Sequence, residues 1–284
     1  MGSIFALVSP GGSPGVTTAA LALALSWPHH VIVAECDPGG GSVLAGTLGG
    51  YVPAGFALVE HAIEAGRNPA AAAADLATQL VPLDADKIRL VLPGLTDPRQ
   101  AVGLAPAWPA VAATFAAQNC DVIADCGRLD AGQGQPLAVL AAASMVAVVL
   151  RPTLRQAWAA RPRIEMLRQL LGSTRQVALL VTGPGRYPAK EMTSALGVPV
   201  IAVLPDDASS AAVLSDGEQR RRFASGDLMT AARRAGPMLR RHAASQVSAR
   251  TGPQAPADET PVPVGVAPAI PPSARDAAGF GANR

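Results

Sequence analysis

Cysteine and lysine are both scarce in this 284-residue chain. The three cysteines, Cys36, Cys120 and Cys126, have neither the paired CxxC spacing of metal ligands nor the pattern of a disulfide framework. We therefore expect small buried residues in a protein of a reducing compartment. The only lysines are Lys87 and Lys190, so arginine supplies most of the positive charge, and we draw no function from that bias.

Long apolar runs are also missing. No stretch approaches the roughly 18 consecutive apolar residues that a membrane-spanning helix needs. The N-terminus lacks the basic start of a signal peptide, and Pro10 ends its first apolar run early. No Ser/His/Asp or Cys/His set is typical of a nucleophilic catalyst, and the histidines lack neighbours that could ligate a metal. The sequence predicts a cytoplasmic protein.

Short apolar runs alternate with helical stretches through most of the chain. With 49% hydrophobic and 15% charged residues, the composition is that of a folded globular protein. The alternation predicts an α/β fold with a mostly parallel, doubly wound sheet covered by helices on both faces. Strands are predicted at residues 4–8, 31–34, 88–92, 121–125, 145–150, 177–181 and 198–204; helices are predicted at 18–26, 56–67, 69–80, 99–118, 137–143, 153–171, 188–196, 207–214 and 225–242.

One domain is predicted over residues 1–243. The remaining segment, 244–284, is rich in Pro, Ala and Gly and lacks the apolar residues that would offset ordering entropy, so it is predicted to be disordered. Thr153 is expected to cap one helix, and Asp206 or Asp207 another. Gly236-Pro237 is expected to interrupt the last helix.

A glycine-rich stretch between the first strand and the first helix has the setting of a phosphate loop. Backbone N–H groups and the helix N-terminus bind anions in such loops. In the Walker A pattern G-x-x-x-x-G-K-[ST], Gly15 and Thr17 hold the expected spacing, but Val16 occupies the lysine position. The candidate cofactor-binding residues of this stretch are Gly11, Gly12, Ser13, Gly15, Val16, Thr17 and Thr18.

Two aspartates follow buried strands and are candidates for the same site. Asp37 ends the second strand, and Asp125 ends the strand at 121–125. In phosphate-loop enzymes a loop hydroxyl and a strand-end Asp hold Mg²⁺, so Thr17 and Asp125 are the predicted metal ligands. Asp37 is the predicted catalytic residue, which would orient water or sense the γ-phosphate. Each aspartate taken singly could instead be a solvated turn residue or a helix cap.

Further motifs accompany this loop in a specific order. Gly11–Thr18 aligns with the pattern K-G-G-x-G-K-[ST]-[ST], and Glu35-Cys36-Asp37-Pro38-Gly39-Gly40 is similar to D-x-D-P-x-G. Asp121–Asp125 is similar to D-x-x-x-x-D but is one residue shorter, and Pro205-Asp206-Asp207 matches P-x-D. With these motifs the chain resembles, over residues 3–243, the MinD/ParA family of deviant Walker A ATPases. That family belongs to the SIMIBI class of phosphate-loop proteins.

The resemblance implies several functional expectations. It implies an ATP-dependent switch for spatial positioning or partitioning, with ATP and Mg²⁺ as cofactors. It adds Pro205 and Asp206 to the nucleotide-binding residues. It also implies a homodimer and a protein partner from a partitioning, pilus or secretion system.

Both lysines of the family pattern are replaced in this chain. Gly11 stands at the signature lysine and Val16 at the Walker lysine. A loop lysine is a point charge on the β- and γ-phosphates. Its loss implies weakened binding and weak or absent hydrolysis, unless an arginine such as Arg128 or Arg151 supplies the charge.

Alternatives therefore stay open. The chain could be a pseudo-ATPase scaffold or localisation factor for a pilus or secretion machine, as in the TadZ/CpaE branch. The helix at 228–242 could contact the inner membrane face, as in MinD relatives, although packing on the sheet also explains its apolar residues. The basic cluster 219–222 could contact DNA non-specifically, although a solvated turn is the simpler interpretation.

Overall fold

An eight-stranded sheet forms the centre of the computed structural model, which describes residues 2–12, 15–50, 58–130, 132, 134–172 and 176–251. The strands are β1 (Ile4–Ser9), β2 (Val31–Glu35), β3 (Val81–Pro82), β4 (Arg89–Leu92), β5 (Asp121–Arg128), β6 (Met145–Leu150), β7 (Gln176–Thr182) and β8 (Val200–Leu204). Their order across the sheet is β3-β4-β2-β5-β1-β6-β7-β8. All neighbours pair in parallel except β3 and β4, which confirms the predicted fold class.

Ten helices are found among the described residues. They are α1 (Val16–Leu25), α2 (Leu58–Arg67), α3 (Pro69–Asp75), α4 (Gln100–Leu104), α5 (Trp108–Ala116), α6 (Leu137–Ala142), α7 (Leu154–Leu171), α8 (Ala189–Leu196), α9 (Ala208–Asp216) and α10 (Asp227–Thr251). Thr153 caps α7 by accepting from the N–H of Gln156, and Asp207 caps α9 by accepting from that of Ser210. Both caps satisfy N–H groups that a helix start leaves unpaired.

The sheet separates two apolar cores, one on each face. Apolar residues of α1, α9 and α10 pack on one face together with Trp27. Residues of α2 to α8 pack on the other face together with Trp108. The strands read as continuous apolar runs because helices cover both of their faces. In the part of the chain that the structure describes, no helix is both long and apolar enough to span a bilayer.

The order of the strands places a crevice at the carboxyl end of β1. The chain passes from β1 through α1 to β2 on one side, whereas β6 pairs with β1 on the other side. In open α/β sheets ligands bind at such a point, because the two adjoining loops diverge and leave a gap.

Strand β5 continues beyond the end predicted at Asp125. It runs to Arg128, and its pairing with β1 shifts so that Leu7 is opposite Asp125 and Ser9 opposite Arg128. One extra residue in β5 is therefore accommodated as a bulge, at Gly127 with a φ of 60°. The short antiparallel strand β3 was also not predicted.

Helix α10 differs from its prediction in two ways. It passes through Pro237 without interruption, so the predicted break at Gly236-Pro237 is wrong. A Cβ at position 236 would lie 3.2 Å from the Trp27 ring, so packing against Trp27 holds this part of the helix. The helix also extends to Thr251, beyond the domain end predicted at residue 243. The predicted disordered segment from 252 onward lies outside the described residues.

Candidate functional site

The phosphate-loop candidate joins β1 directly to α1. Gly15, with a φ of 83° and a ψ of 47°, caps the helix in the left-handed conformation that glycine adopts without strain. Gly15 has no side chain that could accept from the first-turn N–H groups. Those groups and the positive end of the helix dipole therefore open into the space above the loop, where an anion would be stabilised.

Thr17 and Asp125 meet below this loop. The Thr17 hydroxyl donates to the Asp125 carboxylate, and the N–H of Gly127 donates to Asp125 Oδ1 over 3.0 Å. Asp125 is only 1% exposed, and its burial raises the pKa of this carboxyl to about 7 in spite of those hydrogen bonds. The nearby carboxylates of Asp37 and Glu35 raise it further.

Asp37 lies beside the β5 bulge. Its Oδ1 accepts from the N–H of Gly39 over 2.7 Å, and partial burial raises the pKa of its carboxyl. A Cβ at Gly127 would come within 2.0 Å of Asp37 Cγ. Glycine is therefore required at position 127 for two reasons: the positive φ and the close approach of Asp37. The sequence reasoning missed this residue, although a glycine inside a strand is a known signal of a bulge.

Glu35 belongs to the motif that contains Asp37, but it was not among the predicted site residues. It is buried at the end of β2 and accepts from the N–H groups of Ser42, Val43 and Gly94 over 2.7, 3.0 and 3.1 Å. Burial raises the pKa of Glu35, while these three hydrogen bonds lower it. Glu35 thus holds the segment after Asp37 against the loop that follows β4. The sequence feature that could have identified Glu35 as part of the site is its position at a strand end, two residues before Asp37.

Two adjoining hollows share the loop residues Gly15 and Thr18. The first has a volume of about 460 Å³, within the range of small-molecule sites, and is lined by Ser9, Gly12, Gly15, Val16, Thr17, Thr18, Asp37, Gly127 and Arg128. The second has a volume of about 140 Å³. It contains the predicted Pro205 and Asp206 together with Arg151, whose Nη1 lies 3.4 Å from Asp206 Oδ2.

Three of the predicted site residues, Gly11, Ser13 and Asp125, are not among the described lining residues. Ser13 lies outside the described residues. Gly11 is not among the described lining residues of either hollow, and a Cβ built there would lie 3.9 Å from Gln156 Nε2 of α7. The other predicted residues converge on one groove, with Asp125 buried at its floor.

By sequence, the chain matches no protein-family model and no curated protein. Its structure is similar to that of the septum site-determining protein MinD of Pyrococcus horikoshii, solved with Mg-ADP, at a TM-score of 0.66 and 17% identity, covering 87% of this chain and 99% of that one. A ParA family ATPase of Chlorobium tepidum gives a TM-score of 0.61 at 14% identity, covering 83% and 98%. A putative plasmid partition protein of Borrelia burgdorferi bound to AMPPNP gives 0.64 at 12%, covering 85% and 100%.

The chain has the MinD/ParA fold. The expected resemblance is therefore confirmed at the level of the fold. The similarity extends over most of this chain and nearly all of each structural neighbour.

Within this MinD/ParA fold, the position of the Walker lysine is part of the core. Val16 is 7% exposed and packs with the apolar residues of α1 and the sheet. No side chain of the loop's described residues provides a positive charge. The loop can bind an anion through backbone N–H groups and the helix dipole, but it lacks the charge-assisted contact.

Thr17 and Asp125 fit a magnesium ion as part of its ligand set. Hydroxyl and carboxylate oxygens are the ligands that Mg²⁺ prefers, and a nearby cation would stabilise the buried carboxylate. The described residues contain no group of three or more His, Cys, Asp or Glu side chains arranged for a metal ion. Any ion here would therefore need phosphate or water oxygens as well, which is usual for Mg²⁺.

The membrane and DNA alternatives gain no support from the surface. On α10, Leu228, Met229 and Leu239 are buried against the core, and only Met238 is an exposed large apolar residue of that helix as far as it is described. In the basic cluster, Arg220 contacts Asp207 Oδ1 over 3.3 Å. The three apolar residues therefore serve packing, and Arg220 is paired locally.

Two of the three cysteines are buried, as predicted. Cys36 follows β2 and Cys126 lies inside β5, whereas Cys120 is only half-buried. Their side chains fill space beside the strands that carry Asp37 and Asp125.

Proposed function

We propose that this protein is an ATP-binding switch of the MinD/ParA type with weak or absent hydrolysis. The observation that carries the proposal is the convergence of the loop, the Thr17–Asp125 pair and Asp37 on one groove. That groove continues into a second hollow lined by Pro205 and Asp206. A phosphate chain and a nucleoside would occupy the two connected parts.

Each residue then has a defined role in binding. The N–H groups that follow Gly15 bind phosphate oxygens, aided by the α1 dipole. Thr17 and Asp125 would hold Mg²⁺, which supplies positive charge to the phosphates when bound. Asp37 would orient a water molecule at the terminal phosphate. Burial raises the pKa of the Asp37 carboxyl and thereby favours its neutral form.

Slow hydrolysis follows from the missing point charge. Charge that develops on phosphate oxygens during transfer would meet only neutral donors from the loop. Removing one such preorganised donor costs about 3 kcal/mol at the transition state, on the order of a hundredfold in rate. Binding would be weakened less, because the backbone donors remain.

The structural neighbours support a nucleotide ligand. One was solved with Mg-ADP and another with AMPPNP, and both share the fold over nearly their whole length. By analogy we infer a homodimer that acts with a protein partner in spatial positioning or partitioning. The charge and packing of the described surface do not favour DNA or membrane contact.

Nucleotide binding is tested by thermal unfolding of the purified chain with Mg-ATP. Saturation at about a hundredfold over Kd would add about 2.7 kcal/mol of stability. For a domain of this size that corresponds to a rise in Tm of roughly 5–10 °C. No rise at millimolar Mg-ATP would refute the proposed function.

Turnover is tested by phosphate release from the wild type and from Val16→Lys. We expect little or no release from the wild type and a gain in the variant, because the other site residues are retained. A wild type that hydrolyses ATP as fast as the variant would show that the Walker lysine is unnecessary here.

The second candidate is a pseudo-ATPase scaffold of the TadZ/CpaE type for a pilus or secretion machine. The observation that favours it is the burial of Val16, which commits the catalytic position to the core. Absence of any nucleotide effect, together with binding to a secretion or pilus component, would favour this scaffold.

A further inference from the structure

The phosphate part of the groove is rich in carboxyl groups. Asp37 lines it, Asp125 is buried next to Thr17, and Glu35 lies close enough to raise the pKa of Asp125. A nucleotide would add several more negative charges at the same place. Among the described residues that line this hollow, Arg128 is the one that carries a positive charge.

The β5 bulge determines where Arg128 lies. The register shift sets Arg128 opposite Ser9, the last residue of β1 before the loop. The N–H of Leu129 donates to the Ser9 carbonyl over 2.9 Å, which fixes the backbone beside Arg128. The Arg128 side chain is 55% exposed and borders the same hollow as Gly12 and Thr17.

Asp130, which pairs with Arg128, also lies close to a second arginine, Arg163. Arg128 Nε lies 3.2 Å from Asp130 Oδ2, and Arg163 Nη2 lies 3.4 Å from Asp130 Oδ1. Arg163 is itself held in place, because its Nε donates to the Leu129 carbonyl over 2.7 Å. Asp130 therefore keeps a positive neighbour if Arg128 turns away. A partly exposed ion pair of this kind contributes little, so its loss opposes such a movement only weakly.

We propose that Arg128 contacts the terminal phosphate groups of the bound nucleotide and supplies the positive charge that the loop lacks. This inference rests on the proposed function. The guanidinium group suits the role, because its fork of N–H donors matches two phosphate oxygens at once. Arg151 is placed differently, in the adjoining hollow, where it pairs with Asp206.

The inference predicts a dependence on phosphate number. Calorimetric titration of the full chain with ATP, ADP and AMP in the presence of Mg²⁺ would compare the wild type with Arg128→Gln and Arg128→Lys. In Arg128→Gln we expect affinity for ATP to fall about tenfold to a hundredfold. Affinity for ADP should fall less and that for AMP should not change. Arg128→Lys should lie between the wild type and Arg128→Gln.

Arg99→Gln is the matched control, because Arg99 also pairs with an aspartate two residues away, Asp97, on an exposed loop. Its affinity for ATP should equal that of the wild type. Val16→Lys added to Arg128→Gln should restore ATP affinity, because the lysine would replace the lost charge within the loop.

The outcomes separate this inference from the function on which it rests. Equal ATP affinity in the wild type and Arg128→Gln would overturn the role of Arg128 and leave the proposed function standing. An equal loss for ATP and AMP would also overturn it, since the arginine would then not act on the terminal phosphates. A wild type that binds none of the three nucleotides would refute the proposed function, and the role of Arg128 with it.

Discussion

Asp125 combines deep burial with hydrogen bonds that favour its charged form. Burial is the larger influence and raises the pKa of its carboxyl to about 7, from an ordinary value of 3.8. At a pH between these two pKa values, the Asp125 carboxyl is therefore protonated in the folded state and ionised in the unfolded chain. Because of this linkage, the contribution of Asp125 to stability is highest below pH 4 and is lost as the pH rises through about 7.

We predict that Asp125→Asn is more stable than the wild type at pH 8 and similar to it at pH 4. The expected difference in the free energy of unfolding at pH 8 is about 4 kcal/mol at most, from a shift of about three pKa units. Thermal unfolding across this pH range measures it. Asp86→Asn, an exposed surface change, is the control and should show no such trend. A constant difference across the range would contradict the prediction.

Under the proposed function, the same titration would have the opposite effect on ligand binding. Mg²⁺ would bind the charged form of Asp125, so the magnesium-dependent part of nucleotide affinity should rise between pH 6 and pH 8. In Asp125→Asn this rise should be absent. Under the proposed function, Asp125 would therefore lower stability at the pH at which it would bind the ion, as is common for functional sites.

At the level of strands and loops, Glu35 links three segments through one carboxylate. It accepts from two N–H groups of the stretch after Asp37 and from one of the loop after β4. Cβ atoms at Gly41 and Gly94 would come within 2.8 and 2.7 Å of the Glu35 side chain, so both loops pack closely on it. The position of Asp37 depends on this arrangement.

Glu35→Gln should loosen these loops while the sheet remains. The amide NH₂ cannot accept the Gly94 N–H, so a buried donor loses its partner at a cost of about 1–3 kcal/mol. Hydrogen exchange should accelerate over residues 39–46 and near Gly94. Glu60→Gln on the exposed side of α2 is the control. Unchanged exchange in the 39–46 segment would argue against the role given to Glu35.

Local signals predicted most elements of this fold but not their exact ends. The strands and the loop before α1 were evident because apolar runs and glycines are short-range features. The extension of β5 was not, because Cys126-Gly127-Arg128 has no apolar pattern and glycine suggests a strand end. The continuity of α10 through Pro237 was also missed, since packing against Trp27 overrides a local preference for a break.

The candidate site was predictable as a set of residues but not as a geometry. Order along the chain brought together the loop, Asp37 and Asp125. It could not reveal that Glu35 anchors the neighbouring loops, or that the bulge sets Arg128 beside Ser9. Those relations depend on pairing between strands that are distant in sequence.

At the scale of the whole folded unit, residues 1–251, contacts join segments that are far apart in the sequence. Trp27 Nε1 donates to Asp121 Oδ2 over 2.9 Å, and Arg240 Nε of α10 lies 3.1 Å from the same oxygen. Trp27 also packs edge-on against Phe5, with ring centroids 5.2 Å apart. The first strand, the middle of the sheet and the last helix are therefore linked through Trp27 and Asp121, which are both buried.

We predict a single cooperative unfolding transition for this unit. Trp27 and Trp108 are buried on opposite faces of the sheet, whereas Trp158 is exposed, so the first two report on different cores. Variants that keep only Trp27 or only Trp108, with phenylalanine at the other positions, should give the same midpoint in urea. That midpoint should match the one from circular dichroism. Separate midpoints would mean that the two faces unfold independently.

The bulge in β5 also determines towards which face of the sheet the side chains after it point. Side chains alternate between the two faces of a strand, so residues three apart normally point in opposite directions. The extra residue between Asp125 and Arg128 cancels that alternation, and both pair with β1 residues two apart, Leu7 and Ser9. In a regular strand without the bulge, Arg128 would point towards the face opposite to that of Asp125. The bulge thus places the cation at position 128 on the same side of the sheet as Asp125, and it depends on the glycine at 127.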